Sequence, residues 1–181
     1  MKYIKFLIIL FISINTSIIA DSKQIIINEL NLEGKLIFIR HAYAPGGGDP
    51  INFNIKDCST QRNLNNAGKE QAKRIGNFFK ENNILIEKVY SSEWCRCKET
   101  ALVAFNNFEE KSFLNSFFSS KFKQNKNHQM KSLKEFIKNW NGKKNLVFVT
   151  HYVVISEILD YASLSGEVVV TDKDFKVIDT I

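Results

Sequence analysis

Lys35-Leu36-Ile37-Phe38-Ile39-Arg40-His41 is the stretch that settles what kind of sheet this chain forms. Its middle is apolar without alternation, which suits a strand covered on both faces. Arg40 and His41 then stand where that strand stops. Asn145-Leu146-Val147-Phe148-Val149 has the same character, and Thr150-His151 follows it. Between the two lies a weaker strand candidate, Lys88-Val89-Tyr90-Ser91.

Working outward, each of the three runs is followed by a helical pattern. A Gly-rich loop from Pro45 to Asp57 leads into a helix over about 66–80, with Ala72, Ile75 and Phe79 on one face and Asn65 or Asn66 as its cap. Further helices are expected over about 93–105, 132–140 and 153–161. The runs 167–170 and 174–181, around Thr171-Asp172-Lys173, read as a hairpin. Strands alternating with helices imply an α/β domain, a three-layer α/β/α sandwich with a mainly parallel central sheet. No repeat or second composition zone interrupts it, and residues 21–33 read as a linker.

The first twenty residues stand apart. Lys2 and Lys5 precede the apolar run Phe6–Ile12, and small and polar residues mixed with isoleucine continue to Ala20. This is the layout of a secretory signal peptide cut after Ala20, leaving a single domain over 21–181. Ser13, Asn15, Thr16 and Ser17 interrupt the apolar run, so no stable membrane span is expected after cleavage. The expected location is periplasmic or secreted.

The chain has 181 residues, 44% of them hydrophobic, enough for one core. Without Lys2 and Lys5 its formal net charge of +6 falls to +4. Many of the lysines lie between Lys121 and Lys144 with no nucleic-acid motif beside them, so they read as a solvated helix surface and no nucleic-acid partner is expected. Three cysteines, Cys58, Cys95 and Cys97, permit one disulfide and one free thiol in an exported protein. The pairing of Cys58 with Cys95 or with Cys97 stays open. A lone Cys-x-Cys pair lacks the ligands of a zinc site, and no metal or cofactor is expected.

Ligands of open α/β sheets bind at the carboxyl ends of the strands. Here those ends carry Arg40-His41, Ser91-Ser92 with Arg96 in the next helical turn, and Thr150-His151. Two histidines and two arginines on one edge suit phosphoryl transfer through a covalent phosphohistidine. A neutral imidazole is a good nucleophile near neutral pH once an acceptor fixes its other nitrogen. Two guanidinium groups and a second imidazole hold the charge on the transferring oxygens.

The combination resembles the histidine phosphatase superfamily. Leu36-Ile37-Phe38-Ile39-Arg40-His41 is similar to its Arg-His-Gly motif, and Leu64-Asn65-Asn66-Ala67-Gly68-Lys69-Glu70-Gln71-Ala72 to its Leu-Thr-x-x-Gly-x-x-Gln-Ala helix start. Ser91-Ser92 through Arg96 to Thr100-Ala101 is similar to its Ser-Ser-x-x-x-Arg-x-x-x-Thr-Ala block, and Val147–His151 to the strand bearing its second histidine. The four blocks keep the family's order over about residues 35–160. The resemblance implies a phosphoglycerate-mutase-like fold, His41 as nucleophile, and Arg40, Arg96 and His151 as ligands of the phosphoryl group. Arg62, just before the first helix, is a further candidate for substrate binding.

Three departures bear on mechanism. Ala42 replaces the family's glycine, which a negative φ tolerates. The loop Tyr43 to Arg62 is unlike that of the mutases. The family's glutamate proton donor has no counterpart at Leu114-Asn115-Ser116, leaving Asp49, Asp57 and Glu93 as candidate acids. The aromatic residues Phe113, Phe117 and Phe118 read as core. The expected function is hydrolysis of a small or envelope-derived phosphate ester without a metal. The alternatives are a phosphohistidine protein phosphatase and a non-catalytic phosphate-binding envelope module.

Overall fold

The computed structural model describes residues 24–181. The expected signal peptide and its cleavage point lie outside the described residues. Helix α1 covers 24–31. It is followed by β1 (Leu36–Arg40), α2 (Asn66–Glu81), β2 (Ile86–Ser91), α3 (Cys95–Phe105), β3 (Glu109–Glu110), α4 (Lys126–Lys138), β4 (Asn145–Thr150), α5 (Tyr152–Leu159), β5 (Val168–Thr171) and β6 (Val177–Thr180). The six strands form one sheet in the order β3-β2-β4-β1-β5-β6. β1, β2, β3 and β4 run parallel, whereas β5 and β6 are antiparallel additions at one edge.

The continuous apolar runs occupy the centre, as expected. Alternation along them separates two cores. Ile37, Ile39, Val147, Val149, Val168 and Val170 face Ile26 and Leu30 of α1, Ile75 and Phe79 of α2, and Cys97 and Ala101 of α3. Leu36, Phe38, Leu146, Phe148 and Val169 face Met130, Leu133 and Ile137 of α4 and Val154, Ile155 and Ile158 of α5. Helices on both sheet faces make the three-layer sandwich of the phosphoglycerate-mutase-like class.

Two elements differ from the sequence reading. Residues 24–31 are no linker: Ile26 and Leu30, four apart, lie on one helix face and are fully buried. α4 begins at Lys126, before the expected 132, because Gln129 and Met130 extend its buried stripe to Leu133 and Ile137. Its exposed side carries Lys131, Lys134 and Lys138. Phe117 is core and Phe113 packs against it, but Phe118 is 74% exposed, so that aromatic stretch only partly meets the expectation.

Candidate active site

The register of the central strands decides what meets at their carboxyl ends. β1 and β4 pair with Arg40 opposite Thr150, and β2 and β4 with Ser91 opposite Val149. His41 and His151, one step beyond the first pair, therefore lie side by side with ring centroids 5.4 Å apart. Ser92, one step beyond the second, places its Oγ 2.9 Å from His151 Nε2. Arg96 enters from the first turn of α3. Among the described residues, Arg40, His41, Arg96 and His151 all reach one edge of the sheet.

His41 is 3% exposed, and its two nitrogens have distinct partners. Nδ1 lies 2.8 Å from the Ala42 carbonyl, and Arg96 Nε–H donates to Nε2 at 3.2 Å. A guanidinium only donates, so Nε2 is the lone-pair nitrogen and Nδ1 carries the proton, donated to Ala42. Burial first, and then the charge of Arg96, push the His41 pKa down to about 3. A neutral imidazole with a free Nε2 electron pair is the form a nucleophile needs. Ala42 is not among the residues with positive φ, so the glycine of the family motif is dispensable here. Its N–H donates to Thr100 Oγ1 at 3.0 Å.

His151 is likewise buried and neutral: burial, then the Arg96 charge, lower its pKa well below the usual value. Its tautomer follows from a chain of contacts. Asn115 Oδ1 accepts from the Glu93 backbone N–H at 2.9 Å, which fixes the amide orientation and turns Nδ2 toward the Glu93 carboxylate. Ser92 O–H donates to that same Oδ1 at 3.0 Å, so Ser92 Oγ accepts from His151 Nε2–H. Gln129 secures the segment by donating to the Asn115 carbonyl at 2.8 Å. The stretch Leu114-Asn115-Ser116 thus reaches the site, contributing an amide where the family resemblance expects a carboxylate.

Arg40 Nη1 donates to the Ser163 carbonyl at 2.7 Å, and its guanidinium lies over the Tyr152 ring at 5.4 Å. Its Nε is buried and has no partner among the described residues, which leaves a donor for an arriving anion. Gln71, from the Gly-x-x-Gln-Ala block, joins the two flanking loops: it accepts from Tyr43 N–H and donates to the Ser165 carbonyl. Arg62 is half-buried beside the site, donating to the carbonyls of Ala44 and Gly48. Its guanidinium therefore braces the loop that follows β1.

The loop between Tyr43 and Arg62 supplies a residue that motif reading weighed only as an acid. Asp49 accepts from Arg96 Nη1 at 2.7 Å and Nη2 at 3.3 Å, from the Arg62 N–H at 3.1 Å and from the Trp94 indole at 3.1 Å. Burial pushes its pKa up, but the bonds and charge of Arg96 outweigh that and hold it below the usual carboxylate value. Asp57 caps a short 3-10 turn on the surface and bonds Ser59. Cys58 and Cys95 form the disulfide, their Cα atoms 5.7 Å apart, and Cys97 is the free buried thiol. Burial pushes the Cys97 thiol up to about 12, so it stays protonated 3.4 Å from His151 Nε2.

A cleft of about 460 Å³ between α2 and α3, lined by Lys73, Gly76, Phe79 and Phe105 among others, includes none of these residues. Among the described residues no cluster of three His, Cys, Asp or Glu side chains is placed to hold a metal ion, and no helix is long and apolar enough to cross a membrane.

A model of the histidine phosphatase superfamily (branch 1) matches residues 36–114, the span that carries Arg40, His41 and Arg96. Over that span the chain is similar to the histidine phosphatase superfamily. Solved structures share its fold. TTHB049 from Thermus thermophilus is 15% identical, with 81% of this chain and 98% of that one covered at a TM-score of 0.57. A putative phosphohistidine phosphatase SixA from Agrobacterium tumefaciens is 17% identical, with 81% and 96% covered at 0.57. A phosphoglycerate mutase from Thermus thermophilus is 14% identical, with 81% and 98% covered at 0.56. No curated protein matches the sequence.

Proposed function

We propose that the chain is a metal-independent phosphatase that hydrolyses a phosphomonoester through a phosphohistidine on His41. The observation that carries this reading is the orientation of His41. Nδ1–H is held by the Ala42 carbonyl, and the Nε2 electron pair faces the Arg96 guanidinium. In the first step Nε2 attacks phosphorus, the bond from phosphorus to the leaving oxygen breaks with its electron pair going to that oxygen, and the departing oxyanion takes its proton from solvent water. In the second, water attacks the phosphorus, the P–N bond breaks, and phosphate and neutral His41 are regenerated. Arg40 and Arg96 bind the phosphoryl oxygens, His151 joins them by turning its Nε2–H from Ser92 Oγ to a phosphoryl oxygen, and Arg62 adds positive charge from behind its loop. The substrate is a small or envelope-derived phosphate ester, met in the periplasm or outside the cell after residues 1–20 direct export.

A second reading, a phosphohistidine protein phosphatase, draws support from the carboxylates at this edge. Asp49 is held ionised by Arg96 and Glu93 is bonded to Asn115, and a phosphoramidate depends less on such an acid than an alkyl ester does. The test is turnover of an aryl phosphate and of a phosphohistidine peptide by the full chain, with trapping of an acid-labile phosphoenzyme. Phosphate release without a label on His41 would overturn the mechanism. No release from either substrate would leave a phosphate-binding module.

A further inference from the structure

Arginine has two hydrogen-bonding edges, one formed by Nη1 and Nη2 and the other by Nε and Nη2. In Arg96 the two are used differently. The carboxylate of Asp49 takes the first, Oδ1 with Nη1 and Oδ2 with Nη2. The second is turned to the nucleophile, with Nε 3.2 Å from His41 Nε2. Asp49 is itself held by two other donors, the Arg62 N–H and the Trp94 indole.

The loop that carries Asp49 is fastened at many points to α3, the helix that carries Arg96. The Cys58–Cys95 disulfide joins them, and Gln61 Oε1 accepts from the Cys95 N–H. Gln61 Nε2 donates to the carbonyls of Asn54 and Ile55, and Phe53 stacks on Trp94 with centroids 5.1 Å apart. A segment so tied keeps its carboxylate against the guanidinium rather than swinging away when substrate arrives.

We propose that Asp49 is a positioning residue for phosphoryl transfer: by occupying the Nη1–Nη2 edge of Arg96, it presents the Nε–Nη2 edge to the phosphoryl oxygens beside His41. The inference rests on the reading of His41 as nucleophile. On binding, Arg96 Nε–H passes from His41 Nε2 to a phosphoryl oxygen, and the second Nη2–H completes a bidentate contact. The same move releases the Nε2 electron pair for attack. Asp49 neither leaves nor donates a proton, since Arg96 keeps its carboxylate ionised.

The experiment uses the full-length, disulfide-bonded protein. Wild-type turnover of an aryl phosphate and binding of inorganic phosphate are measured first, which tests the His41 reading separately. Asp49→Asn keeps the shape but sets an amide N–H against a guanidinium N–H. It is expected to lower kcat/KM about 10–100-fold by the same factor for good and poor leaving groups, and to weaken phosphate binding although a negative charge has gone. Asp49→Glu, which restores the carboxylate, is expected to recover part of the loss in kcat. Loss confined to poor leaving groups would make Asp49 the proton donor. Tighter phosphate binding would make it a competitor for the site. Either result overturns the inference, as does unchanged activity. Should Asp49→Asn fail to fold, Trp94→Phe removes one donor to Asp49 and is expected to act several-fold in the same direction. If the wild type binds phosphate without turnover, the phosphate-binding arm still decides the role of Asp49. If it does neither, both readings fall.

Discussion

Cys58 and Cys95 are bonded across 37 residues of chain, tying the loop after β1 to the first turn of the helix that presents Arg96. A loop of that length closed in the unfolded state corresponds to about 2–4 kcal/mol of stability. Cys58→Ser is expected to lower stability by that order and, because Asp49 and Arg62 ride on the same loop, to lower kcat as well. Non-reducing peptide mapping should give a Cys58–Cys95 crosslink with Cys97 free. A Cys58–Cys97 crosslink would contradict the arrangement.

Gly68 meets the chain just past the nucleophile. A Cβ built there lies 2.0 Å from the Tyr43 carbonyl oxygen, a backbone atom that a rotamer change cannot move. Gly68→Ala is therefore expected to displace the segment after His41 and to cost about 1–3 kcal/mol or more. Chemical denaturation with parallel activity assays measures both, and a fully stable, fully active variant would refute the contact.

The two buried histidines give pH dependence a definite sign. Both have folded pKa values below 6.5, that of His41 about 3, so on acidification the unfolded chain takes up protons that the folded one does not. Stability is expected to be flat above about pH 7. From there toward pH 3 it should fall by up to about 1.4 kcal/mol per pH unit for each histidine. Denaturation midpoints across that range test this, and constant stability down to pH 4 would rule it out. Over pH 5–7, His41 should remain neutral in the imidazole NMR spectrum.

Each of the three candidate acids is engaged by another group of the protein. Asp49 is ion-paired with Arg96, Asp57 caps a surface turn, and Glu93 is bonded to Asn115. General-acid help is typically worth about 10²–10⁴ in rate. Phosphorylation of His41 is thus expected to depend steeply on leaving-group acidity, with aryl phosphates and phosphoramidates far ahead of simple alkyl esters. Single-turnover rates over a leaving-group series measure the slope. A flat wild-type series that turns steep in Glu93→Gln would identify that residue as the acid.

The central strands, and the gathering of Arg40, His41, Arg96 and His151 at one edge of the sheet, are legible in the chain itself. Apolar runs without alternation can only be satisfied inside a covered sheet, and the residues that end them inherit the sheet's carboxyl edge. Local chemistry also narrows the cap of α2 to Asn65 or Asn66, and the structure selects Asn65, whose side chain accepts from Gly68 N–H. The helix over 24–31 escapes a pattern reading because two buried residues, Ile26 and Leu30, are too few to mark a period. Partnerships across long separations are not legible at all. Whether Cys58 meets Cys95 or Cys97, whether Arg62 faces substrate or braces a loop, and that Asp49 ends on Arg96 depend on how the loop after β1 folds back over α3. Likewise Asn115 reaches Ser92 only because α4, through Gln129, holds its segment there. Strand periodicity is written in neighbouring residues, whereas these contacts join residues tens of positions apart, and only the packed tertiary structure selects among the partners that composition allows.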